Sequence, residues 1–132
     1  MSNRVIHFEI HAGDPERAQA FYQTVFGWTF QQWMEEPPYW GIDTTGPDDD
    51  APGINGGLMQ RRGETPHDGV PVNAYTCVVQ VDDYEAAHDR IIEAGGSVAV
   101  PRQAIPGVAW VGYYKDTEGN IFGINQPDPQ AG

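Results

Sequence analysis

The chain has a single cysteine, Cys77, and a single lysine, Lys115, among its 132 residues. One thiol excludes an intramolecular disulfide and a cysteine metal cluster within one chain, and it is expected to be a buried structural residue. Basic residues are scarce: seven Lys and Arg stand against nineteen Asp and Glu, a formal charge of −12. The deficit is even, with four bases and ten acids up to residue 66 and three bases and nine acids after it. Such a field repels phosphate backbones and anionic lipid, so neither nucleic acid nor a membrane is an expected partner, and a neutral or cationic small molecule is easier to admit. An acidic, lysine-poor surface also suits a salty cytoplasm, where screening removes the self-repulsion. No stretch approaches the roughly 18 apolar residues of a membrane span, and the N-terminus lacks the charged-then-apolar order of a signal peptide. The cytoplasm is therefore the expected compartment.

What is present suffices for one folded domain with a proper core: 39% apolar residues, including four Trp, six Tyr and five Phe. The stretch VIHFEIH, residues 5–11, reads as a strand. Alternation puts Ile6, Phe8 and Ile10 on a core face and His7, Glu9 and His11 on the other. Next, GDPERAQAFYQTVFGW reads as a helix, with Asp14 as cap, Pro15 at the first helical position, Glu16 near the positive dipole end and Gly27 as the stop. Its apolar stripe is Ala18, Phe21, Tyr22 and Val25.

The second half repeats this order. YTCVVQV reads as a strand and DDYEAAHDRIIEAGG as a helix, with an Asp82/Glu85 capping box and a stripe of Tyr84, Ala87, Ile91 and Ala94. Asp14 to Gly27 spans thirteen positions, as does Asp82 to Gly95. Downstream, YWGIDTT and GGLMQ in the first half answer AWVGYY and FGINQ in the second. Trp40 to Gly57 is seventeen positions against thirteen from Trp110 to Gly123, which gives the first copy a loop longer by four, GPDDDAPGINGG. RRGETPHDGVPVN reads as the linker. Such an internal repeat denotes two copies of one supersecondary unit, placed at about 4–62 and 73–127 with a linker at about 63–72.

On HFEIHAGDPERAQAFYQTVFGW and KDTEGNIFGINQP the chain resembles the vicinal oxygen chelate superfamily, which includes glyoxalase I, bleomycin-resistance proteins, methylmalonyl-CoA epimerase and extradiol dioxygenases. The likeness runs from Val5 to Pro127 and is greatest to glyoxalase-like proteins without an assigned activity. It implies an α+β fold of two tandem βαβββ modules, forming a curved mixed sheet around a cavity. It also implies where metal-dependent members hold their ion: a His on the first strand of one module, a Glu late in that module, and the corresponding pair in the other. His7 matches the first position. The others fall at Gly57, at Thr76 (or Tyr75) and at Gly123. Zinc needs at least three protein ligands and octahedral metals need several oxygens or imidazoles, so no cofactor is expected and ordinary metal-dependent glyoxalase I activity is not. The alternative metal site is His7, Glu9 and His11, but three ligands in line along one strand do not readily surround an ion.

The candidate catalytic residues are His7 and Glu9, two apart on one strand and near enough to share a proton or touch one ligand. The bland alternative is a hydrogen-bonded pair without function. Trp40 and Trp110, at matching places in the two halves, are expected to line a cavity and stack on a flat or cationic ligand, against the plainer reading of Trp28, Trp33, Trp40 and Trp110 as core. Tyr114, Thr76, Asn125 and Gln80 are candidate polar contacts, and Asn125 shares whichever face Gly123 has. Gly56, Gly57 and Gly123 either leave room for a ligand or let strands pack closely. His67 and His88 carry no expected role. Two functions follow: a metal-independent enzyme using His7 and Glu9 on an oxygenated metabolite, or a ligand-sequestering protein of the bleomycin-resistance kind. A homodimer is expected, because edge strands and exposed aromatics need covering.

Overall fold

The structure is a computed structural model and describes residues 3–46 and 50–132. Its elements run β1 (Arg4–Ala12), α1 (Pro15–Phe26), β2 (Thr29–Glu35), β3 (Pro38–Asp43), β4 (Gly56–Gln60), then β5 (Thr76–Gln80), α2 (Tyr84–Glu93), β6 (Ser97–Ile105), β7 (Ala109–Lys115) and β8 (Ile121–Pro127). This is βαβββ written twice, an α+β fold. Two compact units result: His7–Tyr75, and Thr76–Gly132 together with residues 3–6. The acidic loop read at residues 46–57 includes 47–49, which lie outside the described residues.

In the first unit the strand order is β2-β3-β4-β1, with β1 and β4 parallel and the other pairs antiparallel. The two ends of α1 are set as its sequence dictates. Asp14 accepts from the Arg17 N–H at 3.1 Å, Pro15 opens the helix, and Gly27 closes it at φ 75°, a left-handed conformation that only glycine adopts freely. Phe8, Ile10, Ile42 and Leu58 form the core, and Ala18, Tyr22, Trp28, Phe30 and Trp40 pack against it. Only half of the α1 stripe is used this way. Phe21 and Val25 remain more than half exposed, because Tyr22 and Trp28, stacked with centroids 5.2 Å apart, fill the space between helix and sheet.

In the second unit the order is β5-β8-β7-β6, with β5 and β8 parallel. The cap of α2 is Asp83, which accepts from the Ala86 N–H at 3.1 Å, and not Asp82. Val81, Tyr84, Ala87, Tyr114 and Ile124 make its core. Cys77 is exposed, not buried. Val79, on the same face of β5, and Val81, just past its end, take the contacts with that core.

The two registers correspond. Glu9 pairs with Gly57 and Val78 with Gly123; Gly57 pairs in turn with Gly41 and Gly123 with Tyr113. His7 and Thr76, each two residues earlier on the first strand, therefore hold equivalent places. The same register matches Trp40 to Gly112, not to Trp110. Gly41 to Gly57 is sixteen positions and Tyr113 to Gly123 is ten, so the first copy's loop is longer by six rather than four.

Candidate functional site

Alternation along β1 and β3 sends His7, Glu9, Tyr39, Gly41 and Asp43 to the face of the first-unit sheet opposite α1. There the Tyr39 hydroxyl meets both candidate residues: it lies 2.8 Å from His7 Nε2 and donates to Glu9 Oε2 at 2.9 Å. His7 Nε2 and Glu9 Oε2 are themselves 3.8 Å apart, so the pair communicates through the phenol. A hydroxyl has one hydrogen. Given to the Glu9 carboxylate, it leaves the Tyr39 oxygen as acceptor for His7, which assigns His7 the Nε2–H tautomer and puts its lone pair on Nδ1.

The environment reinforces that assignment. Burial pushes the His7 pKa below the ordinary value, outweighing the Glu9 carboxylate, which pulls it up, so the imidazole is neutral at pH 7. Glu9 is 5% exposed. His11, the third residue of the row, also has its pKa lowered, by burial first and by Arg61 and Arg62, against the upward pull of Glu9. It lies at the far end of the strand, its carbonyl accepting from Arg61 Nη2 at 2.8 Å. His7 lines a half-open hollow of about 420 Å3 with Gln31, Trp33, Gly41, Asp43 and Asn55, within the roughly 300–1,000 Å3 typical of small-molecule sites.

Glycines decide the shape of this face. A Cβ on Gly57 would stand 1.8 Å from the Tyr39 hydroxyl, and one on Gly41 would stand 2.1 Å from the Trp33 ring. The two rings lie on the two glycines and stack on each other, centroids 5.7 Å apart at 21°. Trp33 reaches this place from an irregularity in the β2–β3 register between Gln32 and Met34, where one extra residue re-aims a side chain. The space released at Gly57 thus holds the chain's own tyrosine, and that at Gly56 holds Phe8.

The same observation tests the metal that the resemblance implies. Of the four ligand positions, His7 alone has a donor of the required kind; Gly57 and Gly123 have none, and the place where a ligating side chain at position 57 would start is filled by the Tyr39 hydroxyl. Among the described residues no three His, Cys, Asp or Glu side chains converge, His7, Glu9 and His11 included. These residues do not fit a divalent metal.

The other candidates lie elsewhere. Trp40 packs against the α1-side core, because it has the parity of Ile42 and not of Tyr39. Tyr114 is 1% exposed within the α2-side core, where its hydroxyl donates to Tyr84 at 3.0 Å and lies 2.9 Å from His88 Nδ1. Burial and that hydrogen bond push the Tyr84 phenol well above its ordinary pKa. Trp110 flanks the same core, its Nε1 donating to Asp128 at 3.0 Å and its ring 4.5 Å beneath the Arg102 guanidinium. Thr76, Gln80 and Asn125 have the parity of Val78 and Gly123, on the second-unit face opposite α2. Tyr39 and Trp33 complete the site and were not among the sequence candidates. Tyr39 is adjacent to Trp40, and one fixed parity on β3 would have chosen between them.

Residues 4–45 match the family model described as bleomycin resistance protein-like N-terminal. A search of the curated proteins finds no match. Among solved structures, the chain resembles methylmalonyl-CoA epimerase from Mycobacterium tuberculosis, at 17% identity and TM-score 0.62, covering 95% of this chain and 88% of that one. It resembles a Vibrio splendidus member of the glyoxalase/bleomycin resistance protein/dioxygenase superfamily at 17% and 0.62, covering 93% and 97%. A variant of Streptomyces coelicolor methylmalonyl-CoA epimerase, in complex with 2-nitronate-propionyl-CoA, is similar at 16% and 0.67, covering 100% and 99%. The chain has the fold of the glyoxalase/bleomycin resistance/dioxygenase superfamily. Among the described residues, no helix is long and apolar enough to cross a membrane.

Proposed function

We propose that the protein binds a small oxygenated organic molecule in the hollow beside His7 and moves a proton on it without a metal. The observation that carries the reading is the Tyr39 hydroxyl joined to both His7 and Glu9. In this account His7 touches the ligand and is the catalytic base, taking a proton at Nδ1 and returning it there. Glu9 and Tyr39 are positioning residues. They hold the ring in one tautomer, and when Nδ1 gains its proton the buried carboxylate offsets the new imidazolium charge through the phenol. A neutral imidazole with a pKa below its usual value is a base already unprotonated at neutral pH. The superfamily's epimerases give precedent for chemistry on this scaffold, though fold alone carries no activity.

The bleomycin-resistance match over residues 4–45 and the exposed Trp33 face favour a second reading, in which the hollow holds its ligand and leaves it unchanged. The two separate by solvent-deuterium exchange into a panel of small carbonyl compounds, followed by proton NMR. Proton transfer requires incorporation that His7→Gln abolishes while binding, measured by calorimetry, persists; binding with no incorporation sinks the first reading and keeps the second. In either case we take the protein to act as a cytoplasmic homodimer, with Phe21, Val25 and Phe26 of α1, all more than half exposed, as apolar surface for the contact. Light scattering of the purified chain tests the dimer.

A further inference from the structure

We propose that the hollow selects a flat aromatic cation, its ring stacked on the open face of Trp33 and its positive charge beside the Asp43 carboxylate. This deepens the reading above and rests on the hollow being the ligand site. Three observations on the first unit lead to it.

Trp33 is fixed yet open. Its indole edge lies on Gly41 and its ring stacks on Tyr39, while 59% of the residue remains exposed. An aromatic ring held in place and left uncovered is a platform for another π system or a cation, and indole is the strongest of the side-chain platforms. Asp43 stands two residues beyond Gly41 on the same face, about 6–7 Å along the strand. Its carboxylate accepts from the Thr45 N–H at 2.8 Å, which holds its pKa low and the group ionised. Among the described residues it has no ion-pair partner. Finally, among the described residues no Lys or Arg lines the hollow; its remaining polar side chains, His7, Gln31, Asn55 and Thr29, are neutral. A phosphate-rich ligand finds no counter-charge there, whereas a cation meets one carboxylate and a chain of net charge −12.

Isothermal titration of N-methylquinolinium, neutral quinoline, 1-naphthoate and coenzyme A against the whole chain, at low and moderate salt, tests the proposal. N-methylquinolinium should bind tightest and the two anions weakest. Asp43→Asn, which keeps the oxygen that Thr45 bonds, should weaken N-methylquinolinium about threefold and leave quinoline unchanged. Trp33→Leu should weaken both by several-fold up to about tenfold. Glu16→Gln, the same change of charge on α1, should change neither. Quinoline binding as tightly as its methylated ion, with the Trp33→Leu loss retained, would overturn the cation and keep the hollow as ligand site. Equal losses in Glu16→Gln and Asp43→Asn would overturn it too, reducing the preference to overall charge. If Trp33→Leu, Asp43→Asn and His7→Gln all leave every affinity unchanged, the ligand-site reading fails with it.

Discussion

Tyr39 lays its hydroxyl where a side chain on Gly57 would begin, with 1.8 Å between the oxygen and the position of a Cβ. The close approach depends on the glycine, and the hydroxyl is also the group that links His7 to Glu9. Gly57→Ala is therefore expected to push the ring aside and break both hydrogen bonds, destabilising the fold by about 1–3 kcal/mol. In a Tyr39→Ala background the same substitution should cost far less. Urea denaturation of the four chains of the cycle measures the coupling; additive costs would show that the two sites do not compete for space.

Tyr39→Phe keeps the ring and removes the bridge. We expect a loss of about 1–3 kcal/mol, the usual cost of withdrawing a donor from a buried charged acceptor. His7 should then populate both neutral tautomers. Glu9→Gln is expected to lower the His7 pKa further, since the carboxylate pulls it up against the downward effect of burial. A histidine-resolved NMR titration reads the shift, and a rise in Glu9→Gln would contradict the electrostatic assignment.

His7 and His11 both have folded pKa values below the ordinary one, so the unfolded chain binds more protons as the pH falls through about 6.5. Stability is present in full above that pH and is lost as the pH drops towards the folded values. Asp43 and Asp116, whose carboxyls are held below the usual range by backbone N–H donors, keep contributing until the pH falls below about 4. The urea midpoint is thus expected to fall between pH 8 and pH 5, and His7→Gln to flatten part of that slope. An unchanged slope in the variant would remove His7 from the account.

In the second unit Gly112, on the core side of β7, also admits a tyrosine closely: a Cβ there would stand 1.9 Å from the Tyr84 hydroxyl. Once that oxygen is gone, the next atoms are 3.2 Å and 3.3 Å away. Gly112→Ala should destabilise by about 1–3 kcal/mol in the native background and by much less beside Tyr84→Phe, as judged by thermal or urea unfolding.

The repeat was readable because each copy carries its own punctuation: Asp14, Pro15 and Gly27 set the bounds of α1, and the Asp82–Asp83 pair marks the start of α2 to within one residue. The His7 and Glu9 face was readable from period-two alternation alone. What sequence left hidden depends on registers between strands. Trp40 is the candidate that its apparent match to Trp110 offers, whereas which of Tyr39 and Trp40 faces the site is a parity on β3 that only pairing with β4 settles. Trp33 needed the β2 irregularity to reach the same face, and alternation does not foretell an irregularity. Tyr114 read as a polar contact because its hydroxyl suggests a ligand, yet Tyr84 and His88 satisfy it inside the core. Gly57 showed the absence of a metal ligand in sequence, but the tyrosine occupying the space became evident only in three dimensions.

The most direct test of the central claim is the tautomer of His7, read from ring nitrogen-15 shifts in uniformly labelled protein at pH 7.5. The Tyr39 bridge predicts protonated Nε2 and unprotonated Nδ1 in the native chain, and a mixture of tautomers in Tyr39→Phe. A protonated Nδ1 in the native chain, or identical spectra in the two, would contradict a His7 base oriented by Tyr39 and Glu9.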